Sequence, residues 1–173
     1  SKETQSFQGI SEAFADEQDV ICIDFRGHGK STGLFTFTAQ EQKDLEAVFQ
    51  WAAHRYSRIG IIGFSLGAAT AINFTSHQDG IKTVVAVSPP SAFEEISIKF
   101  WTPEALRSGL RSLETVAGCR PGNPWLKKER PIENVAKVSP TPLFLIHGTN
   151  DMTVSSHHSK LLFEAAHEPK RLL

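Results

Sequence analysis

Ser65 is the residue in this chain most plainly placed to do chemistry. It stands at the centre of Gly63-Phe64-Ser65-Leu66-Gly67, which fits the G-x-S-x-G pattern of a nucleophile elbow. A serine on so sharp a strand-to-helix turn sits in a strained backbone region, with its hydroxyl projecting away from the chain. The residues two before and two after it are expected to approach each other closely, so both should be small. Both are glycine, Gly63 and Gly67. The following helix would aim its first N–H groups, that of Leu66 among them, and its positive dipole end at a developing oxyanion. The plainer reading of the same residues is a strand–turn–helix corner with a capping serine. Three such positions match by chance in roughly one chain in twenty of this length, so the flanking strand and helix must carry the distinction.

Asp151 is the second candidate. His147-Gly148-Thr149-Asn150-Asp151 directly follows the apolar run Leu143-Phe144-Leu145-Ile146. An acid beyond the serine suits the chain order Ser…Asp/Glu…His. Such an acid holds an imidazole in the working tautomer and stabilises it once protonated. The alternative is an aspartate in a turn or a helix cap. The run ending at Ser88 offers no acid at its tip, since Glu94 and Glu95 come later.

Other motifs carry less. Gly29-Lys30-Ser31 resembles the end of a phosphate-binding G-x-x-x-x-G-K-[ST] loop, but its first glycine is replaced by Asp24, which would repel phosphate. His157 and His158 are adjacent, so a helix points them about 100° apart, a poor chelating pair. They read as a solvated helix start, and His28, between two glycines, as a loop histidine. Cys22 and Cys119 fit no zinc or C-x-x-C spacing. Cys22, inside an apolar run, reads as a small buried hydrophobe.

The elements that must position these residues follow from periodicity. Residues 4–17 carry Phe7, Ile10, Ala13 and Phe14 at helical spacing. Val20-Ile21-Cys22-Ile23 reads as a strand covered on both faces. A helix is predicted over 38–54 from the stripe Leu45, Val48, Phe49 and Ala52, with Thr38 and Glu41 as its capping box. The elbow strand, a helix over 66–77, a strand at Thr83 to Val87, the run 143–146, a helix around Leu161 to Ala166, and the start of a further strand from Lys170 complete the pattern. Strands alternating with helices predict a parallel, doubly wound α/β sheet whose ligands bind beyond the carboxyl ends of its strands. Asp24, Ser65, Ser88, His147 and Asp151 all fall at such ends. Residues 91–139 break the alternation and exceed a plain connection. They read either as a crossover helix with loops or as a small lid over an apolar pocket.

The chain has 173 residues, 40% of them hydrophobic and 21% charged, which suits one ordinary globular domain. A formal net charge of −1 gives no footprint for nucleic acid. No apolar run approaches the roughly 18 residues of a membrane span. Two distant cysteines suit a reduced, cytoplasmic setting.

Taken in order, these segments resemble the α/β-hydrolase superfamily over nearly the whole chain. Asp24-Phe25-Arg26-Gly27-His28-Gly29-Lys30-Ser31 is similar to the family's D-x-R-G-x-G-x-S loop, Gly63 to Gly67 to its elbow, and His147 to Val154 to its H-G-x-x-D-x-x-V acid segment. The esterase, acyl-thioesterase and serine-peptidase-like group is the nearest in character. The resemblance implies a serine hydrolase acting on a small-molecule ester, thioester or amide through an acyl-enzyme on Ser65, carboxylesterase-like in type. Asp151 would be the acid and the Leu66 N–H one oxyanion donor, with no metal and no organic cofactor. The family's histidine follows the eighth strand, and neither His157, His158 nor His167 stands there. The third strand and oxyanion loop of the family precede the first helix. The chain is therefore expected to be a single α/β-hydrolase domain over 1–173 that lacks both ends of the fold, with 91–139 as a lid or cap within it. The histidine and the oxyanion loop would come from a longer parent, and the 173 residues alone would be inactive. The alternative is a non-catalytic domain of the same fold that binds ligands or partners.

Overall fold

The computed structural model describes residues 5–93, 119–123 and 125–173. Four strands, β1 (Ile59–Phe64), β2 (Ile81–Val87), β3 (Leu143–Ile146) and β4 (Lys170–Leu172), form one sheet in the order β1-β2-β3-β4, every pairing parallel. Helices α1 (Gln5–Ala15), α2 (Glu41–Ala53), α3 (Leu66–Thr75), the short α4 (Pro131–Asn134) and α5 (His157–Ala165) flank it. This is the predicted mostly parallel α/β architecture. Among the described residues, no helix is long and apolar enough to cross a membrane.

Period-two alternation puts Ile61, Val84, Ala86, Leu143 and Leu145 on one sheet face. There they meet Ala68, Ala71 and Ile72 of α3, Val135 and Val138 after α4, and Leu162 of α5 in one core cluster. Burying each large aliphatic chain there stabilises the fold by roughly 1.5–3 kcal/mol. The elbow helix α3 is buried from Ala68 to Thr75, which fixes the turn before it. On the other face the Phe7 ring of α1 packs edge-on against Phe64, with centroids 5.2 Å apart.

Three expectations are corrected. Val20 to Ile23 joins no sheet, and Val20 and Ile21 lie exposed at 40% and 43%. An apolar run becomes a strand only where a neighbour takes up its backbone groups, and β1 ends the sheet on that side. Cys22 is accordingly an exposed free thiol rather than a buried hydrophobe, 2.8 Å from the Ser11 hydroxyl. The predicted capping box of Thr38 and Glu41 does not form: the N-cap of α2 is Gln40, which has no side-chain cap, and Glu41 bonds back to Thr36 instead. The Thr36 hydroxyl accepts the Gln40 N–H at 3.0 Å and donates to Glu41 Oε2 at 2.8 Å, and Glu41 Oε1 accepts the Thr36 N–H at 2.7 Å. Phe37 and Thr38 have φ of 55° and 79°, and the buried Thr38 hydroxyl makes no hydrogen bond to the helix.

Of the expected lid segment, residues 94–118 lie outside the described residues. Its two flanks meet: Ser91 carbonyl accepts the Ile132 N–H at 3.1 Å. Residues 120–122 bond across to the loop after residue 24, through Arg120 N to Gly27 O at 2.6 Å and Gly122 N to Phe35 O at 2.7 Å. Gly27 has φ +73°, and a Cβ there would fall 2.2 Å from the Phe35 nitrogen, so this close approach requires glycine.

Candidate active site

Parallel register aligns three strand ends. Phe64 pairs with Val87 and Val87 with Ile146, so Ser65, Ser88 and His147 stand side by side one residue beyond the sheet. Ladder bonds continue into them, Ser65 N to Val87 O and Ser88 N to Ile146 O, each at 2.8 Å.

Ser65 has φ 50° and ψ −118°, a conformation that non-glycine residues rarely adopt. Its carbonyl accepts the N–H groups of Ala68 and Ala69 at 2.9 and 3.1 Å. The N–H groups of Leu66 and Gly67 are then the ones α3 itself leaves unsatisfied. The Ser65 hydroxyl makes no capping bond to α3. A capping serine, the plainer reading of the motif, is therefore not what the structure contains. Close approach at the turn falls on Gly63 alone, where a Cβ would lie 2.5 Å from the Gly67 carbonyl oxygen. A Cβ at Gly67 would meet nothing nearer than the Phe25 ring at 3.9 Å. The two glycines are thus not equivalent, because Gly63 faces the backbone of α3 whereas Gly67 faces outward from it.

Asp151 lies in the loop between β3 and α5. Its Oδ1 accepts the Thr153 and Val154 N–H groups at 2.9 and 3.0 Å, and Oδ2 is 3.7 Å from His147 Nε2. Burial raises its carboxyl, but the two backbone donors, a hydrogen bond from the Ser88 side chain and the nearby His147 together hold it below the ordinary aspartate value. The carboxylate is thus charged and fixed. His147 is itself locked, with Nδ1 2.6 Å from the buried Ser159 hydroxyl and Nε2 2.8 Å from the Val154 carbonyl.

Asp24 is taken up by its own loop, its carbonyl accepting the Ser31 hydroxyl at 2.6 Å. Arg26 ties that loop to α2 through a fork onto Asp44, Nη2 to Oδ1 at 2.7 Å and Nε to both oxygens at 3.0 Å. His28 stays a loop histidine, its ring edge-on to Phe35 at 4.6 Å. His157 is exposed. The solvated start expected for both α5 histidines fails for His158, which is buried with Nδ1 2.8 Å from the Ser91 hydroxyl. The helical turn between neighbours sends one outward and the other into the core. Among the described residues, no hydrogen bond joins the Ser65 hydroxyl to a histidine. No group of three or more His, Cys, Asp or Glu among them could hold a metal ion.

Sequence reasoning placed Ser88 at a strand end but gave no sign that its side chain helps hold the Asp151 carboxyl below its ordinary value. The available signal was its offset, one residue past an apolar run, the same as that of Ser65. The His147–Ser159 contact spans twelve residues and leaves no periodic trace.

Comparison with known proteins places this geometry in context. The sequence pattern of the family described as alpha/beta hydrolase fold matches residues 3–108. The Escherichia coli K12 protein YfhR is 32% identical over 164 residues, covering 90% of this chain and 50% of YfhR. Human ABHD12B is 28% identical over 162 residues, covering 88% of this chain and 42% of that protein. The chain thus spans about half the length of these relatives or less. Among solved structures, the Pyrococcus furiosus esterase Pf2001 in one crystal form matches with TM-score 0.79 at 27% identity, covering all of this chain and 68% of that one. A second crystal form gives TM-score 0.75 at 29% identity, covering 96% and 64%.

Proposed function

Because this chain belongs to the alpha/beta hydrolase fold family, we propose that it is the nucleophile- and acid-bearing part of a serine hydrolase. Ser65 attacks the carbonyl of an ester, thioester or amide, and the Leu66 N–H donates to the oxyanion as the tetrahedral intermediate forms. Asp151 orients the imidazole that takes the serine proton and later returns it to the leaving group. That imidazole comes from the protein outside residues 1–173. Carboxylic esters are the favoured substrates, and the esterase identity of the Pyrococcus furiosus neighbour supports that choice. The exposed free thiol of Cys22 fits a cytoplasmic setting.

One observation carries the reading. Ser65 is held at positive φ between β1 and the N-terminus of α3, and its hydroxyl is not used to cap the helix. Such strain persists only where the surroundings enforce it, and it concentrates at reacting centres. The test uses the whole protein. A fluorophosphonate probe should label Ser65, and Ser65→Ala should lose esterase turnover by several orders of magnitude. Undiminished turnover in that variant would sink the reading.

A further inference from the structure

His147 is a buried titratable group that the proposed function leaves unused. It stands one residue beyond β3, in line with Ser65 and Ser88. Both of its ring nitrogens are committed inside the protein. Nδ1 lies 2.6 Å from the Ser159 hydroxyl and Nε2 lies 2.8 Å from the Val154 carbonyl. A carbonyl only accepts, so Nε2 carries the proton and Nδ1 accepts from the hydroxyl. A ring so engaged has no nitrogen left to serve a nucleophile. Its backbone is pinned as well, because the His147 N–H donates to the Leu173 carbonyl at 3.0 Å. The ring is a strut with its base in the sheet, its flank on α5 and its tip in the loop that carries Asp151.

Val154 is the buried point of that loop, whereas Met152 is 94% exposed. The Thr153 and Val154 N–H groups both donate to Asp151 Oδ1, at 2.9 and 3.0 Å. One residue therefore joins the two contacts: Val154 gives its carbonyl to His147 and its N–H to the carboxylate. Asp151 Oδ2 lies 3.7 Å from Nε2, beyond hydrogen-bond reach, so the ring acts on the carboxylate through the turn. We propose that His147 is a positioning residue for Asp151, its Nε2–H fixing the Val154 carbonyl and with it the turn that sets the carboxylate's direction. The proposal rests on Asp151 being the acid of the proposed triad. A misplacement of about 1 Å can cost a hundredfold in rate, and a loop without buried anchors moves on that scale.

The test is made on the full-length protein with p-nitrophenyl acetate as substrate. His147→Asn keeps an acceptor near the Nδ1 position for Ser159 but is too short to reach the Val154 carbonyl. His147→Gln places an amide N–H near the Nε2 position. His147→Asn should lower kcat by roughly tenfold to a hundredfold with KM little changed, as loss of orientation in the transition state does. His147→Gln should recover most of that loss. A ring that served stability alone would leave kcat at its wild-type value in both variants, assayed well below their melting temperatures. Wild-type kcat in His147→Asn, or no recovery in His147→Gln, with Ser65→Ala and Asp151→Asn both inactive, would overturn the His147 proposal alone. If His147→Asn fails to fold, Ser159→Ala decides, since it keeps the ring and removes only its Nδ1 partner. There the Thr153 and Val154 amides should exchange with deuterium at least about tenfold faster and kcat should fall. Wild-type exchange and kcat in that variant would overturn the proposal. Full activity in Ser65→Ala and Asp151→Asn would overturn the serine-hydrolase reading, and the His147 proposal with it.

Discussion

The Ser159 hydroxyl and His147 Nδ1 lie 2.6 Å apart inside the protein, and that pair ties the end of β3 to α5 across the loop that holds Asp151. The Val154 carbonyl at Nε2 can only accept, so Nε2 carries the proton and Nδ1 accepts from Ser159. Ser159→Ala leaves a buried ring nitrogen without its donor. A loss of about 1–3 kcal/mol is expected, read as a lower urea midpoint with unchanged slope. An unshifted midpoint would show that the pair holds nothing.

The two elbow glycines should part company. Gly63→Ala drives a methyl group into the Gly67 carbonyl, a backbone atom with no freedom to yield. It should destabilise by about 1–3 kcal/mol through overpacking. Gly67→Ala has ordinary space at 3.9 Å and lies in the first turn of α3. It should be neutral or up to about 1 kcal/mol stabilising, by restricting the unfolded chain. Paired melting temperatures decide, and equal damage from both would refute the asymmetry.

Acid should act partly through Asp151. Its folded pKa lies below its ordinary value, so its contribution to stability is complete above about pH 4 and disappears as pH falls through the folded value. Asp151→Asn removes that titration. Urea unfolding followed from pH 7 down to pH 3 should show a shallower loss in the variant than in the wild type. Parallel curves would mean that the carboxylate is not held charged by its donors.

The Arg26–Asp44 fork anchors the loop after residue 24 to α2. Its hydrogen bonds to Asp44 are the main influence raising the Arg26 pKa. Asp44→Ala should cost about 1–3 kcal/mol, as for hydrogen bonds to charged groups. Arg26→Lys should rescue little, because an ammonium cannot span both oxygens. Chemical denaturation of the three proteins measures this, and a wild-type midpoint in Arg26→Lys would contradict the bidentate account.

Elements bounded by their own chemistry were legible. The run Leu143–Ile146 is a strand with the predicted limits, and α3 begins at Leu66, directly after the elbow. What local pattern cannot contain is the neighbour. Val20 to Ile23 is as apolar as β3, yet without a paired strand it stays out of the sheet. Thr38 has the right spacing for a cap, but it sits in a turn of two consecutive positive-φ residues, and Glu41 bonds to Thr36 instead. His158 resembles His157 in sequence and differs only in what α5 packs against, which is Ser91. At the site, Ser65 and Asp151 announced themselves by motif. Ser88 shares the positive φ of Ser65 at the neighbouring strand end, a backbone twist that no residue type declares.

The bond between Ser91 and Ile132 has an evolutionary consequence. It brings together the two ends of a forty-residue stretch, within which residues 120–122 are bonded to the loop after residue 24. Doubling the length of such a loop costs only about 0.6 kcal/mol in closure entropy. A lineage could therefore lengthen or shorten that stretch at little cost while the strand ends stay put, so long as the bonds of residues 120–122 are kept. The bond turns one stretch of chain into a place where length can vary, and variety among relatives should concentrate there.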